Sequence, residues 1–487
     1  MDGLAPGSVA RRVERMSRVD RPSRRQVLAV AAATPVLASL ACSVPRQAVQ
    51  QTPALASPPR VPKHLIVLVS DDQSRFDVGC YGNRGVHTPH LDALAASGAR
   101  FERGYVVVGV CKPSRSAMYT GLYPHRNGAT GFKPIDAHVA TWCELLPPER
   151  CATGMIGKLN VKPAEKFRFE SWVRPKAIGD ARESDPVANA LRAMIKGFGE
   201  RRMAIVVNLK DPHRPFREPL RDPSDPAAPI PHDPAALELP PSMYDTPETR
   251  AEFAQYYDVV WRLDKTVGAL LAVLDECGIA DDTLLVMTSD NGQSFPFAKT
   301  TLYEAGINVP FLVRWPGVVA PGTVSNALVS LVDLLPTALD TFGVARTGLD
   351  GHSLLPLLRG DVSSVRDEFV GEHTEHLVGK PTPARSIRDA RWKYIKNFPT
   401  DGEFANNVLD HSTTWRSWVK ASKNDAALRA RMKQLVMRPP EELYDLAHDP
   451  FELTNLAGVE QHAAQLERMR SRLAEWMRSS ADPLGAQ

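Results

Sequence analysis

The sequence predicts an α/β fold: a large mixed, mainly parallel sheet sandwiched by helices, with a smaller α+β subdomain at the C-terminal end. Three observations carry that prediction. From about His64 onward, short apolar runs alternate with longer stretches of helical periodicity. The runs are continuous rather than alternating, as strands covered on both faces require. Each run also ends in polar or charged residues, so distant positions converge on the carboxyl edge of one sheet, where open α/β sheets bind ligands.

The first run, Leu65 to Ser70, ends in Asp71-Asp72. Thr88-Pro89 then starts a helix with Leu91, Leu94 and Ala95 turned inward and Gly98 as its stop. A second strand runs from Cys151 to Ile156 and ends in Gly157-Lys158-Leu159-Asn160. A third, Met203 to Leu209, ends in Lys210-Asp211-Pro212-His213. The stretch from His213 to Glu248 is rich in proline and aspartate and reads as a long surface excursion near the site mouth. An amphipathic helix follows, with Val260, Leu263, Val267, Leu270, Leu271 and Leu274 on one face and Gly278 after it. The run Thr283 to Ser289 delivers Asp290-Asn291-Gly292, and Val309 to Val313 is a further strand. Past residue 365 the pattern changes: Arg391 to Lys396 alternates like a half-exposed strand, and Ala463 to Met477 reads as a closing helix.

These boundaries divide the 487 residues into an export signal (1–41), a linker (42–62), a catalytic domain (63–365) and a C-terminal subdomain (366–487). The signal is arginine-rich, and its Ser23-Arg24-Arg25-Gln26-Val27-Leu28 is similar to a twin-arginine export sequence. The apolar run Val27 to Ala41 is short for a membrane span and ends in small residues before Cys42. Ser39-Leu40-Ala41-Cys42 is similar to a degenerate lipobox, which makes Cys42 a candidate lipid anchor; simple cleavage near Ala41 or an uncleaved anchor are the alternatives. The expected location is therefore the periplasm or cell envelope. Prolines 45, 53, 58 and 59 mark the linker as a tether. The net charge of +3 comes from this start: without residues 1–41 the chain has 52 basic and 53 acidic residues, no overall bias toward nucleic acid. Cys80, Cys143, Cys151 and Cys277 show no metal spacing and read as small buried residues, with one incidental disulfide as the alternative.

The chemistry centres on Cys111-Lys112-Pro113-Ser114-Arg115, running on to Thr120-Gly121. A loop turning into a helix is expected here, with Pro113 at the first helical position. Cys111 then lies by the helix N-terminus, where anions are welcome, and Arg115 is one turn further on. The plain reading is a buried structural cysteine at a helix start. Asp71, Asp72, Asp290 and Asn291 offer oxygen ligands at two strand ends, a set suited to calcium, with magnesium as the alternative. Asp-Asn-Gly alone is also an ordinary turn.

Cys-x-Pro-Ser-Arg followed by Thr-Gly resembles the signature of the formylglycine-dependent sulfatases, members of the alkaline phosphatase superfamily. The resemblance extends to Thr88-Pro89-His90-Leu91-Asp92, Gly157-Lys158, Asp211-Pro212-His213, Ser289 to Gly292, Lys299 and the tail Glu442-Leu443-Tyr444-Asp445-Leu446. Within the family, Gly154 to Lys158, Lys210 to Arg214, Phe295-Pro296-Phe297 and Pro383 to Ser386 are similar to sulfamidase (heparan N-sulfatase)-like members. The resemblance implies an alkaline phosphatase-like fold and a Cys111 oxidised to formylglycine (3-oxoalanine) by a formylglycine-generating enzyme. Its hydrate attacks sulfur beside a calcium held by Asp71, Asp72, Asp290, Asn291 and residue 111. Arg115, Lys158 and Lys299 then face the sulfuryl oxygens, and His213, whose imidazole can carry a proton, protonates the leaving group. Taken singly, each lysine reads as a surface residue and His213 as a loop histidine.

One departure stands out. The family usually has Gly-Lys-x-His where this chain has Asn160, which hydrogen-bonds but cannot act as an acid. His213 is then expected to be the sole acid. Asn160, His376 and Arg385 are expected to line the substrate pocket, with His373 and Glu375 in the same stretch. Glu372 to His376 lacks the order of a zinc motif. The implied substrate is a sulfated carbohydrate, N- or O-sulfated and glycosaminoglycan-like. The rival readings are a phosphomonoester or phosphonate hydrolase of the same superfamily, and an inactive carbohydrate-binding relative motivated by Asn160. Rates on aryl sulfate against aryl phosphate separate the first, and the chemical state of residue 111 separates the second.

Overall fold

Strand β1 (His64–Ser70) is polar only at its two ends and buried throughout. In a strand, successive side chains face opposite sides. Leu65, Val67 and Val69 accordingly join one hydrophobic cluster, while Ile66 and Leu68 join another on the far side. The sheet is thus covered on both faces, as its unbroken apolar runs require. The computed structural model describes residues 60–216, 232–376, 381–399, 404, 406, 408–409 and 412–485. The export signal, Cys42 and nearly all of the expected linker, and residues 217–231 of the proline-rich excursion, lie outside the described residues. Residues Pro59–Gln487 form one compact unit.

The further strands of the large sheet are β2 (Ala99–Tyr105), β3 (Ala152–Gly157), β4 (Ser171–Val173), β5 (Met203–Asn208), β6 (Thr283–Ser289), β7 (Phe311–Arg314) and β8 (Thr323–Ser330). Their order is β4-β3-β5-β1-β6-β7-β2-β8. Only β7 runs antiparallel to its neighbours β6 and β2. On one face pack the helices Ser184–Phe198 and Pro247–Glu276, together with α1 (Pro89–Ala96). On the other lies α2 (Cys111–Thr120), through Ala117, Met118 and Tyr119. The large, mainly parallel sheet between helices is as the sequence predicts.

The C-terminal strands β9 (Phe369–His373), β10 (Ala384–Arg388), β11 (Trp392–Asn397) and β12 (Glu441–Asp445) make a separate antiparallel sheet in the order β12-β11-β10-β9. Leu466, Met469, Leu473 and Met477 of the closing helix Ala463–Ser479 pack on Val370, Ile387, Tyr394 and Leu443. The opposite face, with Phe369, Ala384, Ile395 and Tyr444, joins the main core. This small sheet therefore grows out of the main body.

Three strands of the large sheet escape a search for apolar runs. Strand β8 is an edge strand with an alternating, half-exposed start, β4 is three residues long, and β2 carries Arg100, Glu102 and Arg103. One local expectation is corrected: α2 begins at Cys111 after Val110, so Pro113 is its third residue rather than its first. Proline fits there too, because the first four helical N–H groups have no intrahelical partner.

Candidate active site

The site is assembled where β1, β5 and β6 end together. Parallel pairing aligns Ser70 with Ser289 and Val69 with Asn208, so the residues that follow emerge side by side. The Asp290 amide donates to Ser70 O at 3.1 Å, and the Asp71 amide donates to Asp211 O at 3.1 Å. Asp72 has a φ of 72°, a left-handed conformation unusual for a residue with a side chain. It is held there by its own amide, which donates to Asp290 Oδ1 at 3.2 Å, and by Asn291 Nδ2, which donates to its Oδ1 at 2.8 Å.

Helix α2 supplies the rest from the opposite side. Cys111 is buried, its Sγ 3.5 Å from Asp71 Oδ1 and 3.7 Å from Asp72 Oδ1. One turn on, fully buried Arg115 donates from Nε to Asp290 Oδ2 at 2.7 Å and from Nη1 to Asn208 Oδ1 at 2.5 Å. Its Nη2 lies 3.7 Å from Asp71 Oδ2. Lys158 bonds Asp71 and Lys299 bonds Asp72. His213 Nδ1 is 2.6 Å from Arg214 O, a pure acceptor, so Nδ1 carries the proton and Nε2 faces the site, 3.9 Å from Asp72 Oδ2.

These contacts set the charge states. Burial alone pushes the Asp71 carboxyl up, but Lys158, His213, Arg115 and Lys299 overcome it and hold the group well below the usual carboxylate range. Asp72 is lowered in the same way, mainly by Lys299 against its own burial. Asp290 is pushed up to about 6 by burial and by its carboxylate neighbours, with Arg115 opposing. Burial and the carboxylates raise the Cys111 thiol well above its usual range, so an unconverted cysteine here is a poor nucleophile. Burial works against the ammonium of Lys299, but Asp72 and its neighbours outweigh it and keep the group charged.

Asp71, Asp72 and Asp290 are thus balanced by Arg115, Lys158 and Lys299 in a space almost closed to water. A divalent cation added to that neutral set makes it attractive to an anion. The donors fit such an ion. Ligand atoms of Asp71, Asp72, Cys111 and His213 lie within 4.8 Å of one another. Buried Asp72 Oδ2 and Asn291 Oδ1 have no hydrogen-bond partner among the described residues. Oxygens left this way are costly unless something binds them, and hard oxygen donors suit calcium or magnesium.

All of the expected nucleophile, cation and carboxylate residues meet at this edge. The pocket residues divide. Asn160 sits just past β3 in a left-handed turn with φ 55°, half-buried. His376 packs edge-on against Phe132, and burial, with Lys299 nearby, lowers it to about 4, so it is neutral at working pH. Arg385 is corrected: it is buried within β10, pairs through Nε and Nη2 with Asp482 at 2.5 and 3.0 Å, and donates to His373 O. Its donors are engaged in fastening the C-terminal segment, so it is structural. His373 is buried in β9, and Glu375 pairs with Lys133 at 3.0 Å. Sequence reasoning missed Asn208 and Tyr119, which stand behind Arg115. Asn208 carried a usable signal, as the lone polar residue closing an apolar strand.

The sulfatase family model matches residues 63–344, more than half of the chain. This chain belongs to the formylglycine-dependent sulfatase family. A second family model, described as N-sulphoglucosamine sulphohydrolase, C-terminal, matches residues 292–438 of this sulfatase. Human N-sulphoglucosamine sulphohydrolase is 30% identical over 477 residues, covering 87% of this chain and 91% of that protein. An ulvan-active sulfatase of Formosa agariphila is 31% identical over 437 residues, covering 86% of this chain and 81% of that protein. A protein solved in complex with its substrate D-glucosamine-2-N,6-O-disulfate has the same fold, with a TM-score of 0.66 at 20% identity, covering 87% of this chain and 99% of that one. The sulfatase described here is thus a sulfuric ester hydrolase with the alkaline phosphatase-like architecture.

Proposed function

We propose that this sulfatase removes sulfate from a glycosaminoglycan-like carbohydrate, cleaving a sulfate ester or a sulfamate, and that it does so in the cell envelope after export. The observation that carries the chemistry is Cys111 Sγ lying against Asp71 and Asp72 with Arg115, Lys158 and Lys299 closing the same space. The carbohydrate reading is supported by the two relatives: one is named for an N-sulphoglucosamine and the other for ulvan.

Residue 111 as formylglycine, beside a divalent cation held by Asp71, Asp72, Asp290 and Asn291, would supply the hydroxyl that attacks sulfur. The chain's own residues prepare and finish that step. Arg115, held by Asp290 and Asn208, presents a fixed positive plane to the oxygens of the sulfuryl group. Lys158 and Lys299 approach from two further directions, stabilising the charge that develops as the sulfur–oxygen or sulfur–nitrogen bond breaks. His213 is oriented by its Nδ1 bond to Arg214 O, and when protonated at Nε2 it passes that proton to the leaving oxygen or nitrogen. Asn160, where a histidine is usual in the family, leaves His213 as the acid.

The test is a panel of defined sulfated saccharides, N-sulfated and O-sulfated, with aryl sulfate and aryl phosphate run alongside. Turnover is expected on a sulfated saccharide and on aryl sulfate, well above that on phosphate. Preferential phosphate or phosphonate hydrolysis would overturn the reading, and so would saccharide binding without any sulfate release.

A further inference from the structure

Among the described residues, Arg115 is the one cation of the site that donates a side-chain hydrogen bond to a neutral side chain. Asn208 ends β5, between the strands that deliver Asp71 and Lys158, and is fully buried. Its Oδ1 accepts from Arg115 Nη1 at 2.5 Å, while its Nδ2 donates to the Tyr119 hydroxyl at 3.0 Å. Tyr119 itself is fixed, with its hydroxyl 3.6 Å from Met155 Sδ and its ring edge-on to Phe167 and Phe169. The donor-only guanidinium decides which way the amide faces, and the hydroxyl accepts from the amide N–H₂ and steadies it there. Turned over, Asn208 would set an N–H₂ group against a guanidinium N–H, donor against donor.

The backbone shows the same care. Gly157 of β3 has φ 88°, and a Cβ there would fall 2.1 Å from Asn208 O. Only glycine lets β3 come this close to the asparagine and still deliver Lys158. With Nε bound to Asp290 and Nη1 to Asn208, the guanidinium plane is held at two points. Nη2 has no hydrogen-bond partner among the described residues and lies 3.7 Å from Asp71 Oδ2, which leaves it as the open corner.

We propose that Asn208, steadied by Tyr119, is a positioning residue for the reaction: it fixes the plane of Arg115 so that the open Nη2 corner meets the sulfuryl group. The amide does this without adding charge. A carboxylate at the same place would be a fourth against three cations and would oppose the anionic substrate. This inference rests on the role given to Arg115 above.

The test is a double-mutant cycle on the full-length, formylglycine-containing, calcium-loaded enzyme, with an aryl sulfate as substrate. Asn208→Leu removes the acceptor at similar volume. It is expected to lower kcat about 10- to 100-fold while KM moves less than about 3-fold, because the loss falls on the transition state. In an Arg115→Ala background the same substitution is expected to cost almost nothing further, since its effect passes through Arg115. Tyr119→Phe, which keeps the ring, is expected to cost about 3- to 10-fold in kcat, again only when Arg115 is present. A wild-type kcat for Asn208→Leu, or losses that multiply in the double variant, would overturn the inference while leaving the role of Arg115 standing. If Asn208→Leu fails to fold, Tyr119→Phe decides, and an unchanged kcat there sinks the proposal. A wild-type kcat for Arg115→Ala sinks the role of Arg115 and this inference with it.

Discussion

Two buried clusters of opposite charges sit in this molecule, and they are built differently. In one, Glu304 and Glu452 meet Lys393 at 3.0 and 2.9 Å, and Glu304 also takes Tyr105 at 2.7 Å and Arg388 at 3.3 Å. In the other, Asp71, Asp72 and Asp290 meet Lys158, Lys299 and Arg115, yet among the described residues Asp72 Oδ2, Asn291 Oδ1 and Arg115 Nη2 are left without hydrogen-bond partners. The first cluster ties β11 and the Asp449–Glu452 turn to the main body, and the strong pairing holds Glu304 below its usual range against its burial. The second lies at strand ends, faces a helix start, and keeps atoms in reserve. In the first cluster only Glu452 Oε1 lacks a hydrogen bond among the described residues, and the Lys393 ammonium lies 2.9 Å from it. A cluster matched this closely fastens a fold, whereas one with several polar atoms open at strand ends can receive a ligand.

The sharpest way to break that contrast is to remove the nucleophile. Cys111→Ala is expected to lower kcat by at least about 10⁴-fold on aryl sulfate, with the thermal midpoint close to that of the parent enzyme. Stripping divalent cations with a chelator is expected to abolish turnover and lower the thermal midpoint. Calcium restores both, because a ligand bound only by the folded state stabilises it. His213→Ala is expected to cost about 10²- to 10⁴-fold on an unactivated sugar sulfate and much less on an aryl sulfate with a good leaving group. Equal losses on both substrates would deny His213 the acid role.

The other cluster is expected to respond in stability alone. Lys393→Met leaves two carboxylates buried without their shared cation, a change of about 3–5 kcal/mol in unfolding free energy. Urea unfolding reads that loss, and kcat per folded molecule stays unchanged. The smallest effect is expected at the C-terminal fastening. His125 faces the Glu372 carboxylate at 2.6 Å and Ser480 O at 3.2 Å, with Asp482, Arg385, Tyr123 and Trp476 around it. Burial works to lower this imidazole, but Glu372 outweighs it and raises the group above its ordinary 6.5. Its contribution to stability is therefore full below that value and lost as pH rises through the raised one. Thermal midpoints of the parent and His125→Gln, compared from pH 5 to 9, are expected to differ most at the acid end.

Most of the large sheet was legible because buried parallel strands must be continuously apolar, and the residues that end such runs have few places to go. Asp71, Asp72, Asp290, Asn291, Lys158 and His213 stand out in that way, and Cys111 with Arg115 through the resemblance of Cys-x-Pro-Ser-Arg to the sulfatase signature. What stayed hidden depended on where a side chain turns. Arg385 lies in a polar stretch and faces inward to Asp482, a residue nearly a hundred positions away. Asn208 ends its strand as Asp290 does, but it faces Arg115 rather than the ligand space. Strands β2 and β8 were missed because a strand next to or at a sheet edge carries polar side chains.

The central claim is that residue 111 reacts as an aldehyde beside the carboxylates of β1 and β6. It is tested most directly by the mass of the tryptic peptide Gly104–Arg115, taken from enzyme produced with a formylglycine-generating enzyme and titrated for sulfate release. The account predicts formylglycine at position 111, in a fraction equal to the active fraction. A fully active preparation carrying an intact Cys111 thiol would contradict it.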